Sequence, residues 1–179
     1  MNEVKALTPE ERGRFKKALH GRNKLLYIAG ASTGLRVSDL LALNTADIAG
    51  QQALTVRESK RGARRTITIS KTLQAAVQAE LKAGTIDAAG PLFPSRKGGR
   101  PLSRAQAYRI LNDAAKRAGI DGAIGGHTLR KTFGLALYEQ GVDITRIMAI
   151  LGQKAPAVTL RYIGITAQEI AESYEAIEI

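Results

Sequence analysis

Between Ala53 and Ser70 the hydrophobic period of the chain changes, and no other feature constrains the fold as much. The segments ALTVRES (53–59) and RRTITIS (64–70) alternate apolar and polar residues, and the turn-like KRGA lies between them. A period of two sends successive side chains to opposite faces of a strand, so the pair reads as an antiparallel hairpin. Elsewhere the apolar spacing is helical. In LTPEERGRFKKALHG, Thr8 is a good N-cap, Pro9 fits the first turn, Glu11 completes a capping box, and Gly21 is expected to stop the helix. An apolar helix is predicted over 23–31, broken at Thr33-Gly34, and Ser38 is expected to cap a short helix ending near Asn44. Further helices are predicted over 71–83, from Ser103 to about Ala118, over 128–140, over 144–151 after Asp143, and over 155–162. Thr166 is expected to cap a last helix with Ile170, Tyr174 and Ile177 on one face. Gly84 to Pro101 and GIDGAIGG read as loop. The prediction is a single domain over 1–179, mostly α with a small antiparallel β-sheet (α+β).

Charge narrows the partner. The chain carries 27 Lys and Arg against 16 Asp and Glu, a net charge of +11, which favours a polyanion over a neutral ligand. The excess is uneven. Arg57, Lys60, Arg61, Arg64 and Arg65 cluster around the hairpin, and Arg96, Lys97, Arg100, Arg104 and Arg109 follow without an acid among them. The end reverses sign, with Glu169, Glu172, Glu175 and Glu178. DNA would be gripped by the first two segments and repelled by the last. There is no cysteine, which excludes disulfides and thiolate nucleophiles, and the two histidines, His20 and His127, lie far apart. No apolar run approaches the roughly 20 residues of a membrane helix. The start of the chain is charged where a signal peptide would be apolar. No membrane partner is expected.

Three further segments carry chemistry. TGLRVSDLLAL (33–43) has an arginine just after a glycine turn, HTLRKTF (127–133) has His and Arg three apart at a helix start, and LGQKAPAVTLRY (151–162) ends in a tyrosine on a short helix. A phosphodiester can be cut by a protein nucleophile if fixed cations hold its non-bridging oxygens, where charge develops in the transition state. Arginine suits that task, being permanently charged and able to donate twice; Arg36 and Arg130 are the candidates. A lysine on a hairpin can protonate the leaving 5′ oxygen, and the phenol of Tyr162 can conserve the bond as a phosphotyrosine ester. Tyr27, Tyr108, Tyr138 and Tyr174 read as packing residues.

In this order, with a basic hairpin between the first and second segments, the three resemble the tyrosine recombinase (phage integrase) family over nearly the whole chain. The resemblance implies the catalytic-domain fold of the DNA breaking-rejoining enzymes. It implies catalytic roles for Arg36, with Asp39 supporting it, Lys60, His127, Arg130 and Tyr162. Lys60 comes from likening KRGARRTITI to the family's Lys-Gly-x-Lys-x-Arg-x-x-Pro pattern. Arg61 replaces the glycine and Thr68 the proline there, so Arg64 and Lys71 stay open as alternatives. Gln153 departs from the pattern, which has histidine or tryptophan nine residues before the tyrosine; its amide can donate one hydrogen bond but carries no charge. DNA contacts are expected from Arg57, Arg61, Arg64, Arg65, Arg96, Lys97, Arg100, Arg104 and Lys131.

The resemblance also implies double-stranded DNA as partner, a tetramer on DNA from protomers that are monomeric when free, no metal or other cofactor, and a place in the prokaryotic cytoplasm at the nucleoid. The residues before Thr8 leave no room for an N-terminal core-binding domain, so the chain is expected to be of the minimal type, similar in size to the recombinases that invert fimbrial promoter segments. A catalytic domain cut from a larger integrase would look the same. The last helix is expected to dock on a neighbouring protomer. Two other activities fit the same residues: a DNA-binding regulator with weak or no catalysis, which Gln153 favours, and a type IB topoisomerase.

Overall fold

The local signals at the helix ends set most of the architecture. In the computed structural model, which describes residues 4–57, 64–96 and 99–166, Thr8 and Glu11 form the capping box of α1 (Pro9–Lys17). Ser70 caps α4 (Lys71–Lys82), Ser103 caps α5 (Arg104–Arg117) and Asp143 caps α7 (Ile144–Leu151), each accepting a hydrogen bond from a first-turn amide. These side chains satisfy N–H groups that a helix start leaves without a partner. Pro156 opens α8 (Pro156–Ile163).

Several boundaries differ from the sequence reading. Gly21 does not close α1, which ends at Lys17; it opens α2 (Gly21–Thr33). The short α3 (Val37–Leu41) has Arg36 at its N-cap position, two residues earlier than the Ser38 cap expected. Its other end runs into a single 3-10 turn over Thr45–Asp47. The sixth helix, α6 (Gly126–Glu139), begins two residues before Thr128, because the Thr128 hydroxyl accepts from the Gly125 amide and so anchors an earlier first turn. His127 therefore sits inside the first turn. The expected last helix lies outside the described residues.

The hairpin forms as the alternation predicts. β1 (Ala53–Arg57) pairs antiparallel with β2 (Arg64–Thr68), with Ala53 opposite Thr68 and Arg57 opposite Arg64. Leu54, Val56, Ile67 and Ile69 are buried on one face, and Arg64, Thr66 and Thr68 are exposed on the other. Isolated bridges at Asn44–Pro91 and Pro94–Pro101 order parts of the long loop.

The core surrounds α2. This helix lies against α4 on one side and α6 on another, with Leu25, Leu26 and Ala29 buried between them. The approach to α6 is close: a Cβ on Gly30 would lie 2.5 Å from Leu129 Cδ1. Past its end, Gly34 turns the chain with φ of 61°, a left-handed conformation that side chains other than glycine's resist. A second, smaller apolar cluster holds Ile147, Leu151 and Ile163, with Phe133, Leu135 and Tyr162 packed on it. Helix α6 contributes to both. The core and this cluster thus meet across one helix, and the candidate site forms at its N-terminal end.

Candidate active site

Four of the six residues expected to act are assembled from distant parts of the chain. Arg36 follows the Gly34 turn at the start of α3, half-buried. His127 and Arg130 project from the first turns of α6. Tyr162 lies near the end of α8, and its hydroxyl is 3.4 Å from His127 Nδ1, although the two residues are 35 apart in sequence. Burial pushes the Tyr162 phenol above its ordinary value, while Arg130, which also hydrogen-bonds it, and Arg36 pull the other way. The phenol is therefore protonated at neutral pH and lies in the field of both arginines. A neutral imidazole Nδ1 in this position can accept its proton.

Arg130 is 3% exposed, which a guanidinium tolerates only with its donors satisfied. Nη2 donates to the Leu151 carbonyl at 2.7 Å, and Nη1 donates to the Gly34 carbonyl. Those carbonyls end α7 and follow α2, where a helix terminus carries partial negative charge. One side chain thus ties together the turn that leads to Arg36 and the turn that leads to Gln153. A guanidinium has five N–H donors, so donors remain beyond these two bonds.

Gln153 follows the C-cap Gly152, its amide nitrogen bonded to the Met148 carbonyl at 2.9 Å, and its side chain is half-buried. Lys60, the sixth expected residue, lies outside the described residues, as do Arg61 and Lys97. Asp39 was expected to support Arg36; its Oδ2 is buried without a hydrogen-bond partner among the described residues.

The expected DNA contacts divide. Arg64, Arg96, Arg100 and Arg104 are exposed, with Arg104 at the first turn of α5. Arg57 occupies the last position of β1, opposite Arg64. Lys131 and Arg65 differ from the expectation. Lys131 is only 5% exposed, and its Nζ lies 5.2 Å from the centre of the Tyr162 ring, because its position on α6 faces α8 rather than solvent. Arg65 is half-buried, with its guanidinium on backbone carbonyls at 2.7 and 3.2 Å. Tyr27 packs beside Phe15 as predicted, whereas Tyr108 and Tyr138 are 54% and 39% exposed. Tyr174 is outside the described residues.

The contact between Lys131 and the Tyr162 ring was missed by sequence reasoning. A lysine directly after Arg130 carries no local sign that α8 will cover it. A groove of about 790 Å³ lies behind α8, lined by Pro9, Leu135, Leu160 and Ile163, and does not include Arg36, His127 or Tyr162. Among the described residues, no helix is long and apolar enough to cross a membrane.

Comparison with known proteins agrees with this geometry. The model of the phage integrase family matches residues 3–169. A probable integrase/recombinase, YoeC of Bacillus subtilis, is 37% identical over 89% of this chain and 88% of its own length. The tyrosine recombinase XerA of Pyrococcus furiosus is 34% identical, covering 96% of this chain and 61% of its own length. The tyrosine recombinase XerD of Mycobacterium leprae is 32% identical, and the match spans 50% of that protein. The chain thus spans about half to three-fifths of those two Xer relatives. Among solved structures, XerA recombinase superposes over the whole chain with a TM-score of 0.79 at 25% identity, over 68% of that structure's chain. A lambda integrase dimer bound to a core site, 23% identical, matches over the whole chain and 65% of its own with a TM-score of 0.68 and so shares the fold.

Proposed function

The chain belongs to the phage integrase family, and from that premise we propose that it is a tyrosine-type site-specific DNA recombinase that cuts and rejoins DNA through a phosphotyrosine at Tyr162. The observation that carries this reading is the Tyr162 hydroxyl lying 3.4 Å from His127 Nδ1, in the field of Arg130 and Arg36. The Tyr162 oxygen attacks the scissile phosphorus and the bond to the 5′ oxygen breaks, leaving the 3′ phosphate on the enzyme. The phenol proton passes to His127. The 5′ oxygen leaves as a hydroxyl with a proton from Lys60. Arg36 and Arg130 hold the non-bridging oxygens, and preorganised donors there supply the largest catalytic effect. Gln153 donates one neutral hydrogen bond to the same phosphate. A 5′ hydroxyl from a partner strand reverses the step, so the ester's bond energy is kept.

Double-stranded DNA is the substrate, consistent with the net charge of +11 and with the exposed Arg64, Arg96, Arg100 and Arg104. Lys60, Arg57, Arg61 and Lys97 extend that set. Four protomers acting on two duplexes complete the exchange, in the cytoplasm at the nucleoid.

The test is a duplex recovered from a random-sequence pool by binding and nicked beside the cleavage point, so that the released 5′ end diffuses away. Covalent protein–DNA that survives detergent, and is lost in Tyr162→Phe, is the expected result. Normal binding with no adduct would turn the reading into that of a DNA-binding regulator. Relaxation of supercoiled plasmid with no partner site would turn it into a topoisomerase.

A further inference from the structure

We infer that Arg65 is a positioning residue of the active site, clasping the β-hairpin to the ends of α2 and α7, and not a DNA contact. The inference rests on the recombinase reading above. It begins with the phase of β2. Arg64, Thr66 and Thr68 point outward, whereas Arg65 is in register with Ile67 and Ile69, which are buried, and stands opposite Val56 on the inward face. An arginine on the inner face of a hairpin needs internal acceptors. Arg65 has them: Nη1 donates to the Ile150 carbonyl at 2.7 Å and Nη2 to the Thr33 carbonyl at 3.2 Å.

Those acceptors adjoin the ones used by Arg130. Arg130 holds Gly34 and Leu151, and Arg65 holds Thr33 and Ile150. Two guanidinium groups therefore bridge the same two helix termini, one carbonyl further along for each. Two C-terminal ends pointed at one place would present partial negative charge toward a phosphate. The paired cations offset that charge and fix the distance between the termini. Arg36 lies three residues past Thr33, and Gln153 three past Ile150. The separation of these two phosphate-side residues is set by the clasp, and through Arg65 the hairpin is held in the same frame. Only the planar fork of arginine spans two acceptors in this way; a lysine ammonium is a single point.

Three measurements on Arg65→Ala and Arg65→Lys test the clasp against wild type. The first is the rate of adduct formation at saturating nicked duplex. It should fall about a hundredfold in both variants, as expected when reacting groups are displaced by about 1 Å. The second is the salt dependence of affinity for a short random-sequence duplex. Its slope should be unchanged, whereas losing a phosphate contact would lower it by about 0.9. The third is hydrogen exchange in the free protein at the amides of Gly34 and Gln153, which bond to the carbonyls of Gly30 and Met148. Exchange there should quicken in both variants while amides of α5 keep wild-type protection. A slope that falls in Arg65→Ala with an unchanged saturating rate overturns the inference, as does full activity in Arg65→Lys. If the wild-type protein forms no adduct, the recombinase reading fails by itself, and unaltered exchange at Gly34 and Gln153 would then sink the clasp independently.

Discussion

The core around α2 and the small cluster under α8 are made of the same aliphatic side chains, yet they hold the site by different means. The core runs from Leu7 to Leu129 and includes both faces of α2, so Arg36 and the start of α6 stand on a deeply packed base. Tyr162 stands on a cluster with three buried members, Ile147, Leu151 and Ile163. Elements with few buried contacts open at lower free energy than the core of the same protein. Tyr162 is thus carried by the thinner layer, and Arg36 and the start of α6 by the thicker one. Helix α6 runs through both layers, and polar bonds add to that link: those from Arg130 and Arg65 to carbonyls at the end of α7.

The comparison breaks most directly at Arg130. Arg130→Ala removes the phosphate donor proposed above and leaves the Gly34 and Leu151 carbonyls without this partner. Adduct formation at saturating DNA should fall by about a thousandfold, and unfolding in urea should show a loss of about 2–3 kcal/mol. A variant of wild-type stability would mean the polar bond does not join the layers.

A pair of glycines separates the layers. A Cβ on Gly30 would lie 2.5 Å from Leu129 Cδ1 in the core, and one on Gly134 would lie 2.7 Å from Ile163 Cγ2 and 2.9 Å from Leu151 Cδ1 in the small cluster. Gly30→Ala should cost about 1–3 kcal/mol of global stability, the usual range for overpacking. Gly134→Ala should cost less stability but slow adduct formation, because α8 shifts. Equal losses of stability would show one cooperative unit in place of two.

Native-state hydrogen exchange sharpens the same point without substitution. Amides at the end of α8, such as Gly164 bonded to the Leu160 carbonyl at 3.1 Å, should exchange through smaller openings than amides within α2. Matching protection would contradict the ordering.

The smallest effect concerns pH. Burial pushes the Tyr27 phenol up to about 12 from an ordinary 10.0. Its contribution to stability is complete below about pH 10, where both states are protonated, and is lost as pH rises toward about 12 because only the unfolded chain releases the proton. Tyr27→Phe should flatten that alkaline decline in thermal melts. Tyr162→Phe should flatten it too, since the Tyr162 phenol is also raised, with burial as the cause. A decline unchanged in Tyr27→Phe would show that the core admits the ionised phenol.

Much of this was legible in the chain. The caps at Thr8, Ser103 and Asp143 are local hydrogen bonds between near neighbours, so spacing alone reveals them. The hairpin was legible because pleating enforces a period of two. The same alternation also marks Arg65 as inward-facing, a signal that its position in a basic run concealed. The start of α6 was missed because Thr128 is a natural cap by type, while its hydroxyl here serves a helix beginning at Gly126. Tyr108 and Tyr138 were misjudged because aromatic character says nothing about which helix face finds a partner.

The sequence by itself determined the residue types and their order: two arginines, a histidine and a tyrosine, each at a helix start or a short helix whose ends are written in adjacent glycines and caps. Those are local matters of backbone geometry and side-chain chemistry. Only the tertiary structure decided that His127 and Tyr162 meet, that Lys131 is covered by the Tyr162 ring, and that Arg65 and Arg130 divide four carbonyls between them. These depend on how α2, α6, α7 and α8 lie against one another, which close packing across distant segments fixes and no neighbouring residue encodes.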